Sequence, residues 1–173
     1  MEKILETPRL LFREMHMGDV ENLMMIFSDP IAMKFYPEVK NEEETIRWIV
    51  WTLNNYRRFG VGMWVVENKI TGDFLGQCGL VPQKVDERVE MEIGYLFVKK
   101  EWGKGYATEA AKACRDYGLY TLRVEKMVSL IDPQNNSSLK VATRIGMSRE
   151  KIIKKRGRDL FLYVLTRKEC DAL

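Results

Sequence analysis

The stretch from Lys99 to Glu109, read KKEWGKGYATE, constrains this chain more than any other. It follows the apolar run Ile93-Gly94-Tyr95-Leu96-Phe97-Val98 and opens onto Ala107-Thr108-Glu109-Ala110-Ala111-Lys112-Ala113-Cys114, whose small apolar residues recur at helical spacing. The pattern is a strand, a glycine turn and a helix start. Gly103 and Gly105 let the backbone aim its N–H groups at one point, and the first turn of a helix carries N–H donors without internal partners. Such a point binds anions, phosphate above all. Taken alone, the stretch reads first as a tight strand-to-helix turn, and its neighbours decide between the two.

Two phosphate loops are excluded. The fingerprint GxGxxG would need a glycine where Thr108 stands, and GxxxxGK[ST] occurs nowhere. The pattern that fits is [Gln/Arg]-x-x-Gly-x-Gly/Ala, here Lys100-Glu101-Trp102-Gly103-Lys104-Gly105. With it stand Glu6-Thr7-Pro8-Arg9-Leu10, Glu92-Ile93-Gly94-Tyr95 and Trp102-Gly103-Lys104-Gly105-Tyr106-Ala107-Thr108-Glu109-Ala110. Asn135 and Ser138 follow, with Gly146 eleven positions after the asparagine. In this order the pieces resemble the GNAT N-acetyltransferases, in particular their RimJ/RimL-like branch of protein N-terminal acetyltransferases. The resemblance runs from about residue 5 to about residue 165.

A chain of 173 residues is one domain, 1–173, with room for a sizeable core. A hydrophobic share of 46% beside 31% charged residues reads as soluble and globular. No apolar run approaches membrane-spanning length and Met1-Glu2-Lys3-Ile4 lacks the design of a signal peptide, so the expectation is cytoplasmic, with no membrane partner. Cys78, Cys114 and Cys170 form no CxxC pair and point to neither a zinc site nor a disulfide framework. A net charge of +3 makes no case for nucleic acid. Monomer and homodimer both stay open.

Along the chain, Leu10 to Arg13 reads as a strand, and Gly18-Asp19 begins a helix that Asp29-Pro30 breaks. A short helical piece is expected from Ile31 to Phe35, before Pro37. Asn41 with Glu44 signals a capped helix that stops near Gly60. Val61–Glu67, Phe74–Val81 and Glu90–Val98 form an antiparallel meander. Met127–Ile131 is a buried strand after the loop helix, and Asn135 or Asn136 caps a helix ending at Gly146. Met147–Lys154 and Leu160–Leu165 close a hairpin around Arg156-Gly157-Arg158. The resemblance then implies an α/β (α+β) GNAT fold. Its single mixed, mostly antiparallel sheet has roughly seven strands and about four flanking helices, and it splays between the family's fourth and fifth strands.

Acetyl-CoA is the cosubstrate this resemblance implies, with no metal. Backbone N–H groups of residues 100–107 would bind its pyrophosphate, so Lys100 in place of the family's Gln or Arg is tolerated. Lys100, Trp102, Gly103, Lys104, Gly105, Tyr106, Ala107 and Thr108 make up that loop and helix start. Phe97 and Val98 would offer backbone partners to the pantetheine arm and Asn135 a side-chain contact, its other reading being a helix cap. An amine at neutral pH is mostly protonated, so a base is needed. Glu90 and Glu92 share one strand face, and by family position Glu92 is the base while Glu90 faces solvent. Most of the family place a tyrosine seven residues after the asparagine, where this chain has Ala142. Ser138 takes the acid's place, as in the RimJ/RimL-like branch, its other reading being helix N-terminal hydrogen bonding.

His16, the only histidine, is incidental: no GxSxG accompanies it. The basic run Lys151, Lys154, Lys155, Arg156 and Arg158 reads first as a solvated hairpin turn, and second as an attraction toward the ribosome or acidic substrates. The resemblance implies an enzyme that acetylates a primary amine by direct transfer, the leading acceptor being a protein or peptide N-terminus, with a ribosomal protein the one that the branch suggests. A small amine (polyamine, amino acid or antibiotic) is the enzymatic alternative, and a non-catalytic acyl-CoA-binding or RNA-associated module is the other.

Overall fold

The computed structural model describes residues 2–173. Its strands are β1 (Lys3–Glu6), β2 (Leu10–Arg13), β3 (Met63–Asn68), β4 (Phe74–Val85), β5 (Arg88–Phe97), β6 (Lys126–Ile131), β7 (Ser148–Lys155) and β8 (Arg158–Thr166). The helices are α1 (Val20–Phe27), α2 (Glu42–Phe59), α3 (Tyr106–Asp116), α4 (Asn136–Arg144) and α5 (Arg167–Asp171). One sheet orders the strands β1-β2-β3-β4-β5-β6-β8-β7, and only β5–β6 is parallel, because α3 crosses between them. The mixed, mostly antiparallel sheet is the one expected, with eight strands in place of seven. The extra strand is Lys3–Glu6, which has only two apolar residues and lies at the sheet edge, where little patterning marks a strand.

The alternation of β3 sorts the core onto two faces. Trp64 and Val66 point toward α3 and α4, into a cluster with Ile93, Phe97, Ala110, Ala111, Cys114 and Ile145. Met63 and Val65 point the other way, against Leu23, Ile26 and Phe27 of α1 and Ile49 of α2. Ala110, Ala111 and Cys114 of α3 are fully buried, which lets that helix approach the sheet closely. Gly79 on β4 shows how tightly the meander is drawn: a Cβ there would sit 2.1 Å from the Gly62 carbonyl oxygen and 2.7 Å from Met63 Cα. These are backbone atoms that cannot swing away. Gly79→Ala is therefore expected to cost about 3 kcal/mol, the upper end of ordinary overpacking, seen as a lower urea midpoint with the slope unchanged.

Local chemistry explains most helix boundaries. Asn41 and Glu44 form the expected capping box on α2, and Gly60 ends it in the left-handed conformation at φ 71°. His16 has a structural task, its Nδ1 accepting from Gly18 N–H ahead of α1. Residues 31–35, expected as helix, are successive turns instead. The Asp29 side chain accepts the Ile31 N–H at 2.8 Å, an alternative to the helical ladder, and Pro37 disfavours helical backbone at Tyr36. The short α5 lies outside the elements expected from the sequence, and a Thr166/Glu169 capping box starts it. Among the described residues no helix is long and apolar enough to cross a membrane.

Candidate active site

β5 and β6 stay paired for two residues only, Met91↔Met127 and Glu92↔Val128, and then part. Two side chains take over from the ladder at that point. Ser129 Oγ donates to the Ile93 carbonyl at 2.9 Å, and the Leu130 N–H donates to Glu92 Oε2 at 3.0 Å. The backbone groups that lost strand partners are thereby satisfied, and the gap is held open.

Glu92 lies at the closed end of this gap. Its Oε1 accepts from Gln83 Nε2 at 3.2 Å, and Lys155 Nζ donates to Gln83 Oε1. Burial raises its pKa, against the lowering effect of the hydrogen bonds from Gln83 and the Leu130 N–H and of the Lys155 charge. Tyr36 is 37% exposed, yet desolvation of its phenol where it faces the gap, reinforced by the Glu92 charge and opposed by Arg158, pushes that phenol up to about 12. Glu90, expected to face solvent, is half-buried and its Oε1 pairs with Lys126 Nζ at 3.1 Å.

The far end of the gap is the glycine loop. Gly103 and Gly105 have φ of 78° and 81°, which an L side chain rarely adopts, and a Cβ on Gly103 would meet nothing. Gly105 is the N-cap of α3 and brings no side chain to its first-turn N–H groups. The first intrahelical bond recorded there is Glu109 N–H to Gly105 O, at 3.1 Å. Lys104 Nζ is paired within the loop to Glu101 Oε2 at 2.7 Å. Trp102 Nε1 donates to the Phe97 carbonyl at 2.9 Å, tying the loop to the end of β5.

The two backbone positions expected to face the gap behave differently. Val98 N–H is committed to the Leu75 carbonyl on the β4 side at 2.9 Å, so it is not a partner for a ligand in the gap. Antiparallel alternation turns Phe97 the other way, its N–H toward the gap. From α4, Asn135 Oδ1 accepts the Ser138 N–H at 3.2 Å, the cap reading, while Tyr95 Oη donates to the Ser138 carbonyl at 3.0 Å. A cleft of about 640 Å³ joins the loop to these groups, with Tyr36, Tyr95, Phe97, Gly105, Asn135 and Ser138 among its walls. Lys100 and Lys104 are both exposed, and Lys104 is paired with Glu101.

Free helix-end N–H groups, a glycine open to space at Gly103 and a strand gap with a free amide suit an elongated ligand with an anionic end. From Phe97 to Glu92 the strand covers about 17 Å, a length comparable with an extended pantetheine arm. The profile of the acetyltransferase (GNAT) domain matches residues 9–148. The chain belongs to the GNAT acetyltransferase family. It is 43% identical over 160 residues to the YkkB protein of Bacillus subtilis (strain 168), covering 92% of this chain and 93% of that one. An acetyltransferase of Agrobacterium tumefaciens superposes with a TM-score of 0.82 at 29% identity, over 95% of this chain and 94% of that chain. The ribosomal L7/L12 α-N-protein acetyltransferase RimL, solved with coenzyme A, superposes with a TM-score of 0.79 over 95% of this chain and 98% of that chain. At 18% identity that likeness is one of fold alone.

Family motifs in the sequence carry Glu92, the loop and Ser138. No motif carries Gln83, Ser129, Lys155 or Tyr36, which reach the site only through strand register and chain packing. The basic run is mostly paired: Lys151 with Asp86, Lys154 with Asp159 at 3.8 Å, Arg158 with Asp132 at 2.7 Å, and Lys155 with Gln83. Lys151 and Lys154 thus fit the solvated-turn reading, while Lys155 and Arg158 are partly buried and turn toward the site.

Proposed function

We propose that this chain is an acetyl-CoA-dependent N-acetyltransferase acting on the primary amine of a protein or peptide N-terminus. The carrying observation is a carboxylate with a raised pKa, Glu92, at the closed end of a strand gap whose open end is an uncapped helix N-terminus. The bound thioester supplies the activated acetyl group. The N–H groups of Tyr106, Ala107 and Thr108 hold the diphosphate, and Phe97 N–H holds the arm. Glu92 Oε1 or Oε2 takes the amine proton, directly or through a water, and Ser138 Oγ hydrogen-bonds the departing sulfur. Tyr95 steadies the α4 turn that carries Ser138. Positioning of this kind accounts for roughly 7–11 kcal/mol of a bimolecular barrier.

The acceptor side is electrostatically mixed in a way that bears on specificity. The Lys155 ammonium acts on Glu92, the Arg158 guanidinium lies near the neutral Tyr36 phenol, and Asp132 is already bound by Arg158. A polycation would meet these cations, whereas a peptide, with one amine followed by neutral amides, would not. The test is acetyl-CoA-dependent thiol release with peptides bearing free Ala or Ser termini, the same peptides N-blocked with an internal lysine, polyamines and aminoglycosides. The expected result is turnover of free-terminus peptides that disappears on N-blocking. Turnover of polyamines or aminoglycosides alone would reassign the acceptor, and coenzyme binding without turnover would favour a non-catalytic module.

A further inference from the structure

The turn between β1 and β2 reaches across to the glycine loop and grips it at several points. Arg9 Nη1 donates to the Lys104 carbonyl at 2.9 Å, its Nε donates to Glu109 Oε2 at 2.6 Å, and its guanidinium lies 4.5 Å from the centre of the Tyr106 ring. Glu109 Oε1 accepts from Thr7 Oγ1 at 2.6 Å and from the Arg9 N–H at 3.1 Å. Both oxygens of the carboxylate are thus drawn toward the N-terminal turn. A modest burial cost is outweighed by these bonds, which hold the Glu109 carboxyl below the usual range, so it is ionised at neutral pH.

Glu109 stands in the first turn of α3, beside the N–H groups that face the cleft. An ionised carboxylate at a helix N-terminus is itself a favoured partner for those donors, and it repels any second anion placed there. We propose that Arg9 is a positioning residue for the diphosphate loop: it neutralises Glu109 and holds it aside, leaving the α3 N-terminus available to an incoming diphosphate. This inference rests on the functional reading above. Arg9 acts through Glu109 and the Lys104 carbonyl and needs no contact with the ligand. The Thr7-Pro8-Arg9 segment is about 100 residues away in sequence, yet it sets the electrostatics of the loop.

Isothermal titration with coenzyme A tests this in four proteins: the parent, Arg9→Ala, Glu109→Gln and the double variant. Arg9→Ala is expected to weaken binding about tenfold, because it strands the carboxylate beside the diphosphate. Glu109→Gln alone is expected to bind at least as tightly as the parent, and the double variant to recover to within about threefold of it. In turnover, Arg9→Ala should raise the donor KM while kcat at saturating donor changes less than about twofold. Equal binding by Arg9→Ala and the parent overturns the proposal. So does a double variant as weak as Arg9→Ala, the result expected of a simple brace. If Arg9→Ala does not fold, Arg9→Gln, which keeps the stem over Tyr106, takes its place in the same cycle. A parent that binds no coenzyme A removes the functional reading itself, and this inference with it.

Discussion

Glu92→Gln lowers kcat by roughly 10²–10⁴-fold and leaves coenzyme A affinity within about twofold of the parent, the expected outcome for loss of a general base. Gln preserves the shape and still accepts the Leu130 N–H, so the strand gap persists while proton-accepting capacity is lost. Steady-state turnover beside a coenzyme A titration separates the two effects. Equal losses in both would mean that Glu92 holds the cleft together rather than taking a proton. The pH profile gives a second check. Because the Glu92 pKa is raised, kcat/KM should climb with pH through a limb displaced above the ordinary carboxylate range, and that limb should vanish in the Gln variant. The stability sign runs the other way. Between the unfolded and the raised folded pKa the native state binds more protons, so this group's contribution to stability falls as pH rises through that window.

The second large effect is on stability. Arg13→Met should destabilise the protein by about 3–5 kcal/mol at neutral pH, because it removes the shared partner of two carboxylates and leaves one deeply buried. The Arg13 side chain is 7% exposed and Asp19 1%, and their two bonds measure 2.9 and 2.8 Å. Glu67 adds a third contact at 2.8 Å. These bonds anchor the end of β2 to the turn that launches α1. Burial alone would raise the Asp19 carboxyl, but the Arg13 guanidinium, followed by the His16 amide, holds it below the ordinary value. A depressed folded pKa stabilises above the unfolded pKa, and that stability is lost as pH falls through the folded value. Urea unfolding at neutral and acidic pH should accordingly show the gap between parent and Arg13→Met narrowing in acid. A gap that stays constant with pH would assign the loss to packing of the arginine stem.

The contrast between Glu92 and Gln83 shows how far the sequence reaches into the site. Glu92 is legible because it precedes Ile-Gly-Tyr on a strand with alternating apolar residues. Gln83 is one residue among several polar ones at the end of β4, and its hydrogen bond to Glu92 follows from the pairing of Gln83 with Glu90 and of Val81 with Glu92. Val98 shows the converse. Its place next to Phe97 offered both amides to a ligand, but the alternation of the ladder allows only one of two successive residues to face the gap.

By itself the sequence determined the meander, the glycine turn, the buried helix α3, the cap on α4 and the family, because these depend on local periodicity, backbone freedom and short motifs. Tertiary structure alone decided the extra edge strand, the turns at residues 31–35, the polar brace at the strand gap and the grip of Arg9 on Glu109. Each of these joins segments distant in sequence or depends on competition between nearby hydrogen bonds. Neither leaves a periodic trace, since a hydrogen bond across a fold constrains two positions without patterning the residues around them.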